Sequence, residues 1–209
     1  MPTPERTSLD AIVAAATEIV DTEGPDSLTM QAVASAVGVR APSLYKRVRS
    51  RNDVLRLVVE QVAIDLGNAL DSAVDGVDPA DETADMKAAT AGERVIALAR
   101  ATREFARARP HAYSLLFARL PDDALPDPAV LARTIAAVLR VSGEHVGEAD
   151  ALSGARTLTA WVHGFVTMEL AGRFRMGGDS AGHLDDAFEY GARRIAAALA
   201  LESDAESLA

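Results

Sequence analysis

Cysteine is absent from this chain of 209 residues, and aromatic residues account for only 4% of it. Without thiols the chain has no disulfide framework, no thiolate nucleophile and no cysteine-ligated zinc site. Strands favour aromatic and β-branched side chains, whereas alanine, which occurs 42 times here, is the strongest helix former. The composition therefore predicts an all-α protein.

Long apolar runs are also missing, since the sequence has no uninterrupted stretch of about 18 apolar residues. The first six residues lack the apolar core of a secretory signal peptide. Hydrophobic residues make up 49% of the chain and charged residues 25%, a balance that excludes a wholly disordered protein. We therefore expect a cytoplasmic protein with no membrane partner.

Common catalytic signatures are missing as well. The sequence contains no glycine-rich phosphate loop, no Gly-x-Ser-x-Gly and no His-Glu-x-x-His. Its four histidines are scattered, and the paired acids Asp122 and Asp123 lie in a proline-flanked loop without an acid–base partner. We expect no enzymatic activity, no cofactor and no metal site.

Apolar residues recur at helical spacing along most of the chain. They predict about nine helices, with Thr7 and Ser50 as N-caps of the first and fourth, and an acidic, poorly ordered connector over residues 76–92. The predicted helices cover about residues 7–23, 29–37, 40–47, 50–76, 93–109, 111–120, 128–142, 148–176 and 180–201.

Positive charge is concentrated in residues 38–56, which we call the basic segment. The whole chain has a formal charge of −10, but this segment holds six basic residues and one acid, a local charge of +5. A basic segment in an otherwise acidic chain is typical of a local surface that binds phosphate groups. The alternative is a solvated basic helix face without a partner.

Residues 28–48 have the layout of a helix-turn-helix. Gly38 permits the left-handed backbone of a tight turn, while Val39, Leu44 and Val48 anchor the second helix to the core. A major groove admits one helix, whose basic side chains can reach guanine edges or phosphates. Six residues are left facing outward: Arg40, Ala41, Ser43, Tyr45, Lys46 and Arg47.

The run Leu28-Thr-Met-Gln-Ala-Val-Ala, followed by Gly38-Val and Pro42-Ser-Leu-Tyr, resembles the DNA-binding domain of the TetR/AcrR family of bacterial transcriptional regulators. Family members usually have lysine at the position of Arg51 and often histidine at that of Arg47. The resemblance covers residues 7–56. It implies an all-α fold with a three-helix DNA-binding domain over residues 1–52. A larger helical domain for effector binding and dimerisation then follows over residues 53–209.

The resemblance also implies roles on double-stranded DNA. Gln31 matches a base contact and Thr29 a phosphate contact. Tyr45 and Arg47 match backbone clamps, and Arg51 matches a phosphate contact helped by the N-terminus of the fourth helix. Contacts to base edges or adjacent phosphates are matched by Arg40, Ala41, Ser43 and Lys46.

The last two predicted helices are apolar or small over much of their surface, which indicates a homodimer that doubles the DNA contacts and reads a palindrome. Pairing with their symmetry mates as a four-helix bundle is also the family arrangement. Alternatively, both helices only cover the monomer core. The residues assigned to the dimer interface are Ala160, Gly164, Thr167, Ala171, Phe188, Gly191 and Ile195.

Clustered aromatic residues on the predicted helices 93–109, 111–120 and 148–176 indicate a pocket for a small, mostly apolar effector. The alternative is plain hydrophobic core. Trp161-Val-His-Gly164 resembles the Trp-His-Gly signature of one carboxy-terminal subgroup of the family. The residues assigned to the pocket are Phe105, His111, Tyr113, Phe117, Trp161, Phe165 and Glu169.

Together these features predict a DNA-binding transcriptional regulator. By family habit it is a repressor that binds a palindromic operator as a homodimer and is released by its effector. The alternative is a helical interaction protein whose helix-turn-helix has lost DNA binding.

Overall fold

The structure is a computed structural model that describes residues 8–77, 84–175 and 181–206. Within these ranges the chain forms ten α-helices, two short 3-10 turns and no strand, which confirms the all-α prediction. None of these helices has the length and apolarity that crossing a membrane requires. The helices are α1 (Leu9–Glu23), α2 (Met30–Ala36), α3 (Ala41–Leu44), α4 (Arg51–Asp75), α5 (Ala84–Ala108), α6 (Pro110–Leu116), α7 (Pro128–Thr134), α8 (Ala136–Val146), α9 (Ala151–Leu170) and α10 (Ala181–Glu206).

The helix predicted over residues 128–142 is in fact two helices, α7 and α8, with Ile135 between them. The Thr134 hydroxyl donates to the carbonyl oxygen of Val130 at 3.0 Å. A threonine bonded back to the preceding turn often bends a helix, and this one lies at a break that apolar spacing does not signal. The prediction of nine helices is therefore wrong by one within the described residues.

The predicted acidic connector over residues 76–92 is wrong for residues 84–92, because α5 begins at Ala84. Residues 78–83 of that connector lie outside the described residues. Alanine is frequent in residues 84–92, and Ala91 is only 5% exposed. High helix propensity and the burial of Ala91 thus favour a helix over residues 84–92, which contain one acid and one base and are not themselves acidic.

Several other helix ends differ from the prediction. Thr7, the predicted first N-cap, lies outside the described residues, and Ser8 caps α1 by accepting from the N–H of Ala11 at 3.1 Å. Helix α3 ends at Leu44, and the chain continues in a turn to Arg47. Helix α9 ends at Leu170, where Gly172 adopts a φ of 61°.

By packing, the chain divides into two compact units. Of the described residues, the first unit contains 8–66 together with 108–134, and the second contains 67–77, 84–107, 135–175 and 181–206. This division falls inside α4, whereas the sequence placed a domain boundary after residue 52. The reason is that Val54, Leu55 and Val58 of α4 are buried.

A small apolar core holds the first unit together. It includes Ile12 and Val20 of α1, Val33 of α2 and Leu44 of α3, each at most 1% exposed. Complete burial of such side chains contributes about 1.5–3 kcal/mol each. Because Leu44 is part of this core, the orientation of α3 is tied to the packing of α1 and α2.

Arg109 connects two helices of the first unit. Its guanidinium lies 2.9 Å from a carboxylate oxygen of Asp21 in α1 and 2.7 Å from one of Asp65 in α4. Next to it, the ring of His111 packs against Gly24, whose φ is 85°. Residues that follow α5 therefore belong to the same packed unit as the helix-turn-helix.

Aromatic rings and close helix contacts form the core of the second unit. Phe188 of α10 is 1% exposed, and its ring centroid lies 5.3 Å from that of Trp161 and 5.2 Å from that of Phe165 in α9. Helices α8 and α9 approach closely, since a Cβ on Gly154 would lie 3.2 Å from a methyl group of Val146. The unit is thus a packed helical bundle of its own.

Candidate nucleic-acid interface

Three local features define the helix-turn-helix. Thr29 caps α2, since its hydroxyl oxygen accepts from the N–H of Ala32 at 3.0 Å. Gly38 adopts a φ of 72° with nothing within 4 Å of where a Cβ would be, so the turn requires glycine for its backbone conformation and not for lack of space. Pro42 occupies the first turn of α3, where its missing N–H is not needed.

The segment that begins at α3 has one anchored side and one outward side. Leu44 and Val48 are 0% and 2% exposed, whereas Tyr45, between them, is 55% exposed. Ala41 and Ser43 are half-buried, and the long side chains are exposed as predicted: Arg40, Tyr45, Lys46 and Arg47. Thr29 and Gln31 at the start of α2 are exposed too. The arrangement leaves these residues accessible to a duplex, and their DNA contacts stay predictions.

The start of α4 is fixed by a reciprocal cap. The Ser50 hydroxyl oxygen accepts from the N–H of Asp53 at 3.1 Å, and Asp53 accepts from the N–H of Arg49 at 2.9 Å. The hydrogen bond from Arg49 lowers the pKa of the Asp53 carboxyl. Arg56 also lies 2.9 Å from Asp53 and 2.8 Å from Glu60, so acids of the same helix neutralise this basic residue.

Arg51, the first residue of α4, bonds to the backbone of its own unit. Its Nε donates to the carbonyl oxygen of Leu28 at 2.5 Å, and its Nη2 donates to that of Pro25 at 2.8 Å. The guanidinium is therefore engaged with the loop before α2. The phosphate contact of Arg51 stays a prediction, and the sequence held no signal for these two hydrogen bonds because the carbonyls are 23 and 26 residues away.

The structure assigns the predicted pocket residues to different units. Phe105, Trp161, Phe165 and Glu169 belong to the second unit, whereas His111, Tyr113 and Phe117 belong to the first. In the first unit Tyr113 is 1% exposed and lies 5.2 Å from Phe117 between ring centroids, and burial raises the pKa of its phenol to about 12. The effector pocket stays a prediction.

Arg103 of α5 organises the residues around the second-unit aromatic cluster. It is 7% exposed and donates to both carboxylate oxygens of Glu169, at 2.8 and 2.7 Å. It also lies 2.8 Å from Asp185 and stacks 4.6 Å from the centre of the Phe188 ring. Sequence reasoning missed this residue, because its acidic partners lie 66 and 82 positions further along the chain.

Beside this cluster the second unit contains a cavity of about 290 Å³. Its walls come from α5 and α10 and carry charges of both signs. They therefore differ from the mostly apolar pocket that the sequence predicts. The lining residues are Arg100, Arg103, Glu104, Arg107, Asp185, Phe188 and Glu189.

The predicted dimer residues fall into two groups. On α9 and at its C-cap, four small residues are exposed: Ala160, Gly164, Thr167 and Ala171. On α10, Phe188 is instead buried in its own unit, and a Cβ on Gly191 would overlap the ring of Trp161. Phe188 and Gly191 therefore serve α9–α10 packing within one chain, which corrects their assignment. Ile195 is half-buried.

Comparisons with known sequences match two family models. Residues 12–58 match "Bacterial regulatory proteins, tetR family", and residues 95–195 match "Tetracyclin repressor-like, C-terminal domain". The second match includes the Trp-Val-His-Gly segment, but its description does not name a Trp-His-Gly subgroup, which stays a prediction. A relative in Mycobacterium tuberculosis, the uncharacterized HTH-type transcriptional regulator Rv0681, is 31% identical over 174 residues, which are 81% of this chain and 73% of the relative.

Solved structures share the fold. A protein of unknown function from Rhodococcus sp. RHA1 is similar with a TM-score of 0.73 and 20% identity, over 95% of this chain and 97% of that one. A TetR variant from Acinetobacter baumannii AYE in complex with minocycline is similar with a TM-score of 0.63 and 18% identity, over 91% and 95% of the two chains. At sequence identities of 20% and 18%, the similarity to these two structures shows a shared fold and nothing further.

Proposed function

The chain belongs to the TetR family of bacterial regulatory proteins, which are DNA-binding transcriptional regulators, and from this premise we propose that it is a repressor. It binds a palindromic operator as a homodimer in the cytoplasm, and a small effector releases it. No enzymatic step is part of this proposal, because the family and the relative are regulators.

One observation carries the DNA-binding part of the proposal. Leu44 and Val48 are buried while Tyr45 and Lys46 between them are exposed, so the basic side of this segment is free of the protein's own core. An exposed segment of a short helix and the turn that follows it, with basic and aromatic side chains held by apolar anchors, suits a major groove and its flanking phosphates. The rival reading, a degenerate helix-turn-helix, lacks such support.

Selection of duplexes from a random pool, followed by a binding titration, tests this function. Wild-type protein selects a palindromic sequence, and Lys46→Ala lowers affinity for it by about 1–3 kcal/mol because a base or phosphate contact is lost. Arg133→Ala is the matched control, since it removes one positive charge from an exposed position in α7. Equal affinity of wild type and Lys46→Ala removes Lys46 from the interface, and a wild type that selects no duplex contradicts the function.

The exposed small residues of α9 support the homodimer. Ala160, Gly164 and Ala171 let a second helix approach closely, and among the described residues outside the adjoining backbone of α9 none lies within 4 Å of a Cβ placed on Gly164. Two copies present two reading heads, with half-sites about 34–36 Å apart or a multiple of that distance. A monomer mass by light scattering at micromolar concentration contradicts this part.

Release by an effector requires a ligand that binds two states of the protein with different affinity. Its support here is the second-unit cavity beside Phe188, in which aromatic and charged side chains lie together. A ligand panel screened for a change in both melting temperature and operator affinity tests the idea. If no ligand changes either quantity, effector release loses its support.

A further inference from the structure

The contact of Arg51 with the loop before α2 connects two parts of the first unit that are far apart in sequence. Its Nε and Nη2 donate to the carbonyl oxygens of Leu28 and Pro25, at 2.5 and 2.8 Å. A guanidinium presents its donors in a rigid planar fork, so one side chain serves both acceptors. A lysine ammonium, which is a compact point charge, does not reproduce this geometry.

Both ends of this contact are themselves held in place. Arg51 is the first residue of α4, directly after the Ser50–Asp53 cap. Leu28 is 1% exposed, so its side chain is fixed in the core while its carbonyl is fixed by Arg51. Since Leu28 directly precedes the cap residue Thr29, the guanidinium determines where α2 begins relative to α4.

The start of α2 matters because Thr29 and Gln31 are exposed there, as a phosphate and a base contact require. We propose that Arg51 is a positioning residue for DNA reading and not a phosphate contact. It holds the N-terminus of α2 against α4 and thereby places Thr29 and Gln31 on the duplex. This inference rests on the proposed function.

The two possible roles of Arg51 give different salt dependence. Affinity for DNA falls as the salt concentration rises, so the slope of log affinity against log salt concentration is negative. Each phosphate that a basic side chain neutralises makes this slope steeper by about 0.9. A phosphate contact predicts that Arg51→Ala makes the slope shallower by about that amount and that Arg51→Lys, which keeps the charge, retains affinity. A positioning role predicts that both variants lose affinity by about 10-fold while the slope stays that of wild type.

The experiment uses the full chain and the duplex that the wild type selects from a random pool. Fluorescence anisotropy titrations across a salt series compare wild type, Arg51→Ala and Arg51→Lys. Arg56→Lys is the matched control, because Arg56 lies on the same helix but pairs only with Asp53 and Glu60 among the hydrogen bonds and ion pairs described for it. We expect the control to leave affinity for the duplex within about 2-fold of wild type.

A second selection of duplexes from a random pool, now with the Arg51→Lys variant, distinguishes a positioning role of Arg51 from a general loss of protein stability. Gln31→Ala and Lys46→Ala first identify the base pairs that depend on α2 and on the α3 segment. We expect Arg51→Lys to relax the preference only at the base pairs that depend on Gln31. Equal relaxation at all base pairs indicates a merely structural role and overturns the inference.

The remaining outcomes are also decisive. Arg51→Lys with wild-type affinity, or Arg51→Ala with a shallower salt slope, restores the phosphate contact and overturns the positioning role. Arg51→Lys carries the test if melting shows that Arg51→Ala does not fold. A wild type that selects no duplex overturns the proposed function itself, which is a different result from a failure confined to the Arg51 variants.

Discussion

Basic side chains have opposite surroundings in two regions of the molecule, the α5–α10 ion pairs of the second unit and the segment of the first unit that begins at α3. In the second unit, Arg103 on α5 pairs with acids of α9 and α10, and Arg100 pairs with Glu189 of α10. In the first unit, Arg40 and Lys46 are exposed on the segment that begins at α3. An acidic chain can thus keep a basic surface because acids of other helices neutralise its arginines elsewhere. Local charge identifies a nucleic-acid interface only when the folded positions of the acids are known.

The largest expected effect concerns the buried pair of the second unit. Arg103→Ala leaves the carboxylate of Glu169 without its partner at a position that is only about a tenth exposed. Removing one member of a buried ion pair costs about 3–5 kcal/mol of unfolding free energy. Urea denaturation measures it, with Lys46→Ala as the control that leaves stability unchanged. If Arg103→Ala loses less than about 1 kcal/mol of unfolding free energy, water reaches Glu169. The arginines of the second unit would then be no more shielded from water than those of the segment that begins at α3.

A matched pair of exposed arginines gives the next effect, this time on DNA binding. Arg40→Ala lowers operator affinity by about 1 kcal/mol if it contacts a phosphate or base edge. Arg107→Ala, which removes an equally charged side chain that lies 3.3 Å from Asp185 in the second unit, leaves that affinity unchanged. Salt-dependent titrations compare the two. Equal losses would mean that total charge, and not the position of the charge, sets DNA affinity.

The smallest expected effect is a pH dependence of stability in the second unit. The hydrogen bond from Arg100 lowers the pKa of Glu189 below its ordinary value of 4.5. A lowered folded-state pKa stabilises the protein above the ordinary value, and this contribution disappears as pH falls through the lowered pKa. The stability difference between wild type and Glu189→Gln is therefore full at pH 6 and vanishes in stronger acid, as measured by urea denaturation. A difference that is constant with pH would contradict the pairing.

Periodic apolar spacing predicted the helices well, and their ends less well. The spacing of apolar residues shows that a helix is present and that it is not a strand, because each helix must bury one face. The break after Thr134 and the start of α5 at Ala84 are two ends that the spacing of apolar residues does not contain. Positions of glycines and caps, such as Gly38 and Ser50, were more reliable because their conformational roles are local.

In the candidate site, too, local features could be predicted from the sequence and contacts between distant residues could not. The exposure of Tyr45 and Lys46 was predictable from the anchors Leu44 and Val48 on the same short segment. The partners of Arg51 and the burial of Phe188 were not, because both depend on residues more than 20 positions away. Contacts set within one turn are accessible from sequence, whereas contacts between distant segments require the fold.

Arg109 has a consequence for anyone who wishes to transplant the DNA-reading head. Its guanidinium bridges Asp21 and Asp65, although it lies more than 40 positions beyond the later of the two. A fragment cut after residue 66 leaves both carboxylates without this partner and also lacks the helix that packs on α1. The first unit, which contains the helix-turn-helix, is therefore discontinuous in sequence. A chimera that carries this unit must include residues 108–134 as well.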